Sequence, residues 1–113
     1  MKYGIATIAE QRARTLAIAS GKRHRTDDEP KVWFPSMAAA MRVLSDENMA
    51  LLKVIREQNP ASMGDVAKAT GKQESNVSRS LHLMSEFGLV TLKKIGRTVV
   101  PEAAADHVTL EIS

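Results

Sequence analysis

The sequence contains no cysteine, and this absence excludes several classes of protein. Without thiols the chain can form neither a disulfide scaffold nor a thiolate metal site, and it has no cysteine nucleophile. Aromatic residues are also scarce, at 4% of the 113 residues, so a core must come mainly from Leu, Ile, Val, Met and Ala. This composition favours helices.

Long apolar runs are missing as well. No run approaches the roughly 18 apolar residues of a membrane-spanning helix. Near the N-terminus, Glu10, Arg12 and Arg14 interrupt the apolar stretch that a signal peptide requires. We therefore expect a cytoplasmic protein without a membrane partner.

Signals of catalysis are equally sparse. His24, His82 and His107 do not have metal-ligand spacing, and no glycine-rich phosphate loop is present. The sequence therefore predicts no enzyme activity, no metal site and no cofactor.

The overall balance is that of a globular chain, with 43% apolar and 26% charged residues. The net charge of +3 is mild evidence for a polyanionic partner, because many solvated surfaces reach this value. We expect two segments: an N-terminal helix with a charged linker over residues 1–31, and a main domain over residues 32–113.

In the first segment, Thr7 and Glu10 match a capping box, which predicts a helix that ends near Gly21. The stretch "GKRHRTDDEP", residues 21–30, has no apolar residue and predicts an exposed linker. Its basic half, residues 22–25, has two interpretations: a solvated helix end, or an arm that contacts phosphates.

The segment "KVWFPS", residues 31–36, is predicted to be extended because prolines flank Trp33 and Phe34. These two aromatic side chains either anchor the segment on the main domain or dock a partner protein.

Three serines, Ser36, Ser45 and Ser62, are each placed to cap a helix. The third helix ends at Gly71, and another follows over residues 74–87, so the pair predicts a helix-turn-helix. After Gly88 the apolar period changes to two, which predicts a hairpin that turns at Gly96. The alternating tail "HVTLEI", residues 107–112, predicts a further strand. The fold class is therefore mainly α with a small β hairpin (α+β), a winged helix-turn-helix.

Helix 74–87 has two different faces. At 100° per residue, Val77, Leu81, Met84 and Gly88 fall within about 60° of one another and form a core stripe. The opposite face carries Ser, Asn, Arg and His, although Ser and Asn are poor helix formers. Leu83 fits neither face.

The chemistry of that polar face suits DNA. Arg79 can pair with guanine and Asn76 with adenine in the major groove. Between residues 68 and 97 there are six Lys or Arg and two Glu, a local charge of +4. The alternative is an ordinary solvated face and a charged hairpin tip.

The stretch "SMGDVAKATGKQESNVSRSLHLMSEFGLVTLKKIGRTVV" resembles the winged helix-turn-helix of MarR- and ArsR-type transcriptional regulators. It is most similar to a group of small predicted DNA-binding regulators that includes antitoxin-like members. The resemblance implies a repressor whose helix 74–87 lies in the major groove and whose wing, residues 93–97, contacts the backbone. The predicted DNA-binding residues are Lys72, Ser75, Asn76, Ser78, Arg79, His82, Lys93, Lys94 and Arg97.

A homodimer on double-stranded DNA is expected, because one such module makes few phosphate contacts. Either the N-terminal helix or the tail strand can form the dimer, and the tail can instead pair within the chain, beside the wing or near "KVWF". A toxin protein is a further possible partner if the chain is an autoregulating antitoxin. The alternative function is a winged-helix adaptor between proteins that does not bind DNA.

Overall fold

The computed structural model describes residues 1–26, 28–104 and 107–112. Its helices and strands follow in chain order: β1 (Lys2–Ile5), α1 (Ile8–Ala19), β2 (Val32–Phe34), α2 (Met37–Val43), α3 (Asp46–Gln58), α4 (Met63–Thr70), α5 (Glu74–Glu86), β3 (Val90–Ile95), β4 (Thr98–Ala103) and β5 (Thr109–Glu111).

The chain divides into two compact units. The first unit consists of Met1–Arg42 with His107–Ser113, and the second of Val43–Asp106. Neither junction coincides with the limit predicted between residues 31 and 32, and the predicted domain limits stay a prediction. The two units are described separately below.

A three-stranded parallel sheet organises the first unit, in the order β2-β1-β5. Tyr3 is the central residue of the register, opposite Val32 on one side and Leu110 on the other. The predicted extended segment and the tail strand are therefore confirmed, and the tail pairs within the chain. Strand β1, which joins them, was not predicted.

The aromatic residues of "KVWFPS" pack against this sheet. Phe34 is fully buried, and its ring stacks on that of Tyr3 with centroids 5.2 Å apart. Trp33 is half-buried and lies so close to Gly4 that a Cβ on that glycine would come within 2.4 Å of the indole. The contacts therefore favour anchoring over docking of a partner, although the anchor is the sheet of the first unit.

Helix α1 begins as predicted. The Thr7 hydroxyl accepts a hydrogen bond from the Glu10 amide at 3.1 Å, and the Glu10 carboxylate accepts one from the Thr7 amide at 3.4 Å. Residues 21–26 are exposed, as expected of a linker. The end of that segment differs from the prediction, because Pro30 is buried and Glu29 forms ion pairs with Arg14 and Arg23. Asp27 lies outside the described residues.

Helices α3, α4 and α5 form the core of the second unit. The three predicted serine caps are present along the chain: Ser36 accepts from the Ala39 amide at 3.0 Å, Ser45 from the Asn48 amide at 3.2 Å and Ser62 from the Asp65 amide at 3.1 Å. Gly71 ends α4 at a φ of +68°, a value that favours glycine. The core side chains are at most 2% exposed: Leu51, Leu52, Ile55, Val66, Val77, Leu81, Met84, Leu89 and Val90.

The hairpin follows α5 through a tight C-terminal cap. The Leu89 amide donates to the Met84 carbonyl at 3.0 Å and the Gly88 amide to the Ser85 carbonyl at 3.1 Å, with Gly88 at a φ of +76°. This Schellman motif turns the chain directly into β3. Strand β4 continues to Ala103, and Pro101 lies buried within it. The order α3-α4-α5-β3-β4 gives a winged helix-turn-helix, and the predicted fold class is confirmed.

Candidate nucleic-acid interface

Helix α5 places the predicted polar residues on its outer face. Ser75, Asn76 and Arg79 are exposed, whereas Val77 and Leu81 on the opposite side have no accessible surface. The buried stripe fixes the rotation of the helix about its axis, and this rotation determines which side chains face solvent. The part of α5 nearest its N-terminus therefore presents a hydroxyl, an amide and a guanidinium.

His82 and Ser78 contact each other one turn apart on the same helix. Nδ1 of His82 lies 2.7 Å from the Ser78 carbonyl oxygen and 3.4 Å from the Ser78 hydroxyl oxygen. A carbonyl oxygen can only accept, so in the neutral ring Nδ1 carries the proton and donates it. Nε2 is then an acceptor, which is suited to a donor such as the amino group of a base.

Lys72 lies in the turn between α4 and α5 and is partly neutralised. Its Nζ is 3.4 Å from Oε2 of Glu47, near the start of α3. The side chain of Lys72 is 32% exposed and that of Glu47 is 77% exposed. An ion pair this open to water is weak, so Lys72 remains available to an anionic ligand.

The three wing residues project in different directions. Successive side chains of a strand point to opposite faces, so Lys93 and Lys94 do not lie side by side. Lys93 shares its face with Glu102, and the Lys93 Nζ lies 3.1 Å from the Glu102 Oε2. Arg97 is the second residue of the two-residue turn after Ile95, next to Gly96 at a φ of +62°.

Two carboxylates at this surface, Glu47 and Glu102, were not predicted from the sequence. The Glu102 contact follows from hairpin register, because Lys93 pairs with Val100 and a diagonal neighbour lies two residues further on. The Glu47 contact depends on how α3 packs against α4, for which the local sequence has no signal. Leu83 is half-buried, in agreement with its intermediate position on the helix.

These ion pairs divide the predicted cations into two groups. Lys72 and Lys93 each have a carboxylate partner. Arg79, Lys94 and Arg97 have none within 4.0 Å in the part of the chain that the structure describes. This candidate interface therefore has three cations without an ion pair, which is a small number for one DNA-binding module.

The described residues also contain no group of three His, Asp or Glu side chains placed to hold a metal ion. Over the same ranges, none of the helices is both long enough and apolar enough to cross a membrane.

Solved structures contain a similar fold. The crystal structure of the predicted DNA-binding transcriptional regulator from E. coli superposes with a TM-score of 0.52 at 18% sequence identity, over 83% of this chain and 84% of that one. At this identity the similarity supports the fold. No curated protein matches the sequence.

A family model matches residues 43–110, well over half of the chain, and covers α3, the helix-turn-helix and the hairpin. The narrower MarR- or ArsR-type assignment stays a prediction. The chain belongs to the HVO_A0114 family.

Proposed function

We propose that the protein is a sequence-specific DNA-binding transcriptional regulator that places α5 in the major groove. The observation that carries this proposal is the outer face of α5, where Ser75, Asn76 and Arg79 are exposed above a fully buried stripe. In helix-turn-helix proteins the N-terminal half of the second helix contacts base edges.

The side chains on that face have distinct roles in this proposal. Arg79 donates two hydrogen bonds to O6 and N7 of guanine, and Asn76 pairs with N6 and N7 of adenine. Ser75 and Ser78 approach phosphate oxygens closely because their side chains are short. His82 adds an acceptor at Nε2.

The wing and the interhelical turn contact the backbone in this proposal. Lys94 and Arg97 are free of ion pairs within the described residues, so they are the first candidates for phosphate contacts. Lys72 and Lys93 add phosphate contacts once their ion pairs with Glu47 and Glu102 are broken. Such contacts position the module without specifying sequence.

We also propose that the protein is cytoplasmic and that it represses transcription by binding over a promoter. Because few cations are available, we further propose that it acts as a homodimer on two half-sites about one helical turn apart. Strands β2 and β5 are the outer strands of the first unit's sheet, and α1 has no buried residue, so these elements are candidates for the dimer surface. A toxin encoded by an adjacent gene would identify the antitoxin subclass.

The test starts with selection of binding sites from random duplexes at a stated salt concentration. Wild-type protein and the double variant Arg79→Ala/Asn76→Ala are then titrated on a selected duplex and on a scrambled one. Each bidentate contact contributes about 1–3 kcal/mol of discrimination, so the variant should lose roughly 5- to 150-fold per contact on the selected duplex. Affinity for the scrambled duplex should change much less.

The matched control is Lys53→Ala/Gln58→Ala, which removes one cation and one amide from exposed positions on α3. It should bind both duplexes like the wild type. A palindromic selected site supports the homodimer. If no duplex is enriched, or if the α5 variant keeps full selectivity while its circular dichroism shows it folded, DNA recognition is refuted and the adaptor function becomes the better explanation.

A further inference from the structure

The Glu29 carboxylate links the loop after α1 to that helix. Glu29 forms ion pairs with Arg14 of α1 and, at 3.4 Å, with Arg23 of the loop. The side chains of Glu29 and Arg14 are 19% and 14% exposed, so this contact is better shielded from water than a surface pair. The loop therefore has a defined position on α1.

The same arginine connects the loop to the sheet. The guanidinium of Arg14 lies 5.0 Å from the centre of the Trp33 ring, within the range of a cation–π interaction. Trp33 in turn packs on Gly4, where only a glycine leaves room for the indole. Arg14, Glu29 and Trp33 thus form a fixed cluster.

A cavity of about 400 Å³ opens beside this cluster. Its lining is rich in hydrogen-bond donors, and the residues that carry them are Gln11, Arg14, Arg25, Thr26 and Lys31. Glu29 also lines it, but both of its oxygens already contact guanidinium groups. Arg25 and Lys31 are exposed and have no carboxylate within 4.0 Å in the ranges that the structure describes.

The charge of the chain is concentrated in this unit. The first unit contains eight Lys or Arg and five Asp or Glu, a difference of +3, which equals the net charge of the whole chain. The second unit contains eight of each sign, a difference of zero. Partial burial and the charges of Arg23 and Arg25 lower the pKa of Arg14, a sign that cations are crowded here. An anion in the cavity would relieve that repulsion.

We propose that this cavity binds a phosphate of the DNA backbone through Arg25 and Lys31, as a second contact that is independent of sequence. The inference rests on the proposed function. It adds a phosphate contact to the small number that α5 and the wing can make. Guanidinium and ammonium groups are suited to phosphate oxygens, and the hydroxyl of Thr26 completes the donor set.

The salt dependence of DNA affinity tests this proposal with the double variant Arg25→Gln/Lys31→Gln. Each phosphate neutralised contributes about 0.9 to the slope of log affinity against log salt. The variant should therefore lose about 0.9 of slope on selected and scrambled duplexes alike, and the preference between the two duplexes should stay unchanged. The control Arg56→Gln/Lys53→Gln removes the same charge from exposed positions on α3 and should keep the wild-type slope.

Trp33 provides a local signal because it is the only tryptophan in the chain and lines the cavity. DNA should change its fluorescence in the wild type and in the control, but not in the Arg25→Gln/Lys31→Gln variant. Inorganic phosphate at constant ionic strength is titrated in parallel. A saturable phosphate response together with an unchanged DNA slope would identify a free phosphate ligand and overturn the backbone contact.

The two proposals fail in different ways. If the wild type selects a duplex and the Arg79→Ala/Asn76→Ala variant loses selectivity, recognition by α5 stands. An unchanged slope for a folded Arg25→Gln/Lys31→Gln variant then overturns the cavity contact alone. If the wild type enriches no duplex, both proposals are overturned.

Discussion

Removal of one carboxylate from the wing should strengthen DNA binding. Glu102 lies 3.1 Å from Lys93, and the two side chains are 50% and 56% exposed. In the proposed complex the same face approaches a phosphate, so Glu102 both competes for Lys93 and repels the backbone. The substitution Glu102→Gln keeps the size of the side chain and removes the charge.

The magnitude follows from counterion release. If Lys93 gains one phosphate contact, the salt slope steepens by about 0.9, and the gain in affinity is then about 3.5-fold larger at 50 mM than at 200 mM salt. The lost ion pair costs little, since an exposed pair contributes about 0–1 kcal/mol to the free energy of unfolding. Affinity should therefore rise severalfold at low salt with a small change in thermal stability.

Fluorescence anisotropy with a labelled duplex at several salt concentrations measures both quantities. Glu57→Gln is the control, because Glu57 is exposed on α3, outside the wing and α5, and its substitution removes the same charge. Equal gains from both variants would show a general charge effect. A Glu102→Gln protein that is folded but binds no better than the wild type at low salt would refute the wing contact through Lys93.

Two further predictions concern the first unit. Burial raises the pKa of Tyr3, the only tyrosine, to about 12, so the native state holds its proton more tightly than the unfolded chain between pH 10 and 12. This contribution to the free energy of unfolding should be fully present below pH 10, and about 2–3 kcal/mol of it should be lost as the pH rises through 12. Phenolate absorbance with a midpoint near 10 in the folded protein would contradict the burial. Gly4→Ala places a Cβ 2.4 Å from Trp33, so it should cost about 1–3 kcal/mol and change Trp33 fluorescence. The helical control Gly64→Ala, whose nearest atoms are 3.6 Å away, should be neutral or stabilising by up to about 1 kcal/mol, and equal destabilisation by both would refute the close packing at Gly4.

Local signals explain why the second unit was predictable. Serine caps act within four residues, and Gly71 and Gly88 adopt positive φ values that mark helix ends. The buried stripe of α5 follows from its 3.6-residue period, so Val77, Leu81 and Met84 could be assigned from spacing alone. The exposed face was then the complement of that stripe.

Contacts between distant residues explain what was missed. Strand β1 has four residues and little pattern of its own, and its partners are β2 and, at the other end of the chain, β5. Parallel pairing of this kind requires long connections, so no turn signal marks it. The ion pair of Glu29 with Arg14 was missed for the same reason, because "GKRHRTDDEP" resembles a solvated linker.

The charge pattern shows most clearly what folding adds to the sequence. Between residues 68 and 97 the local charge is +4, yet Lys72 and Lys93 are paired with Glu47 and Glu102, which both lie outside that range. The second unit as a whole is neutral, so in the proposed complex α5 supplies chemistry for specificity with few charges for affinity.

Two sources of affinity are therefore proposed, and they have different signatures. A second copy of the chain doubles the base contacts as well as the phosphate contacts, so it produces a palindromic site and binding that depends on protein concentration. The cavity at Arg25 and Lys31 adds phosphate contacts alone, so it steepens the salt dependence equally on every duplex. The homodimer changes sequence selectivity, whereas the cavity does not. The salt slope and the sequence preference, measured on the same variants, therefore distinguish the two sources of affinity.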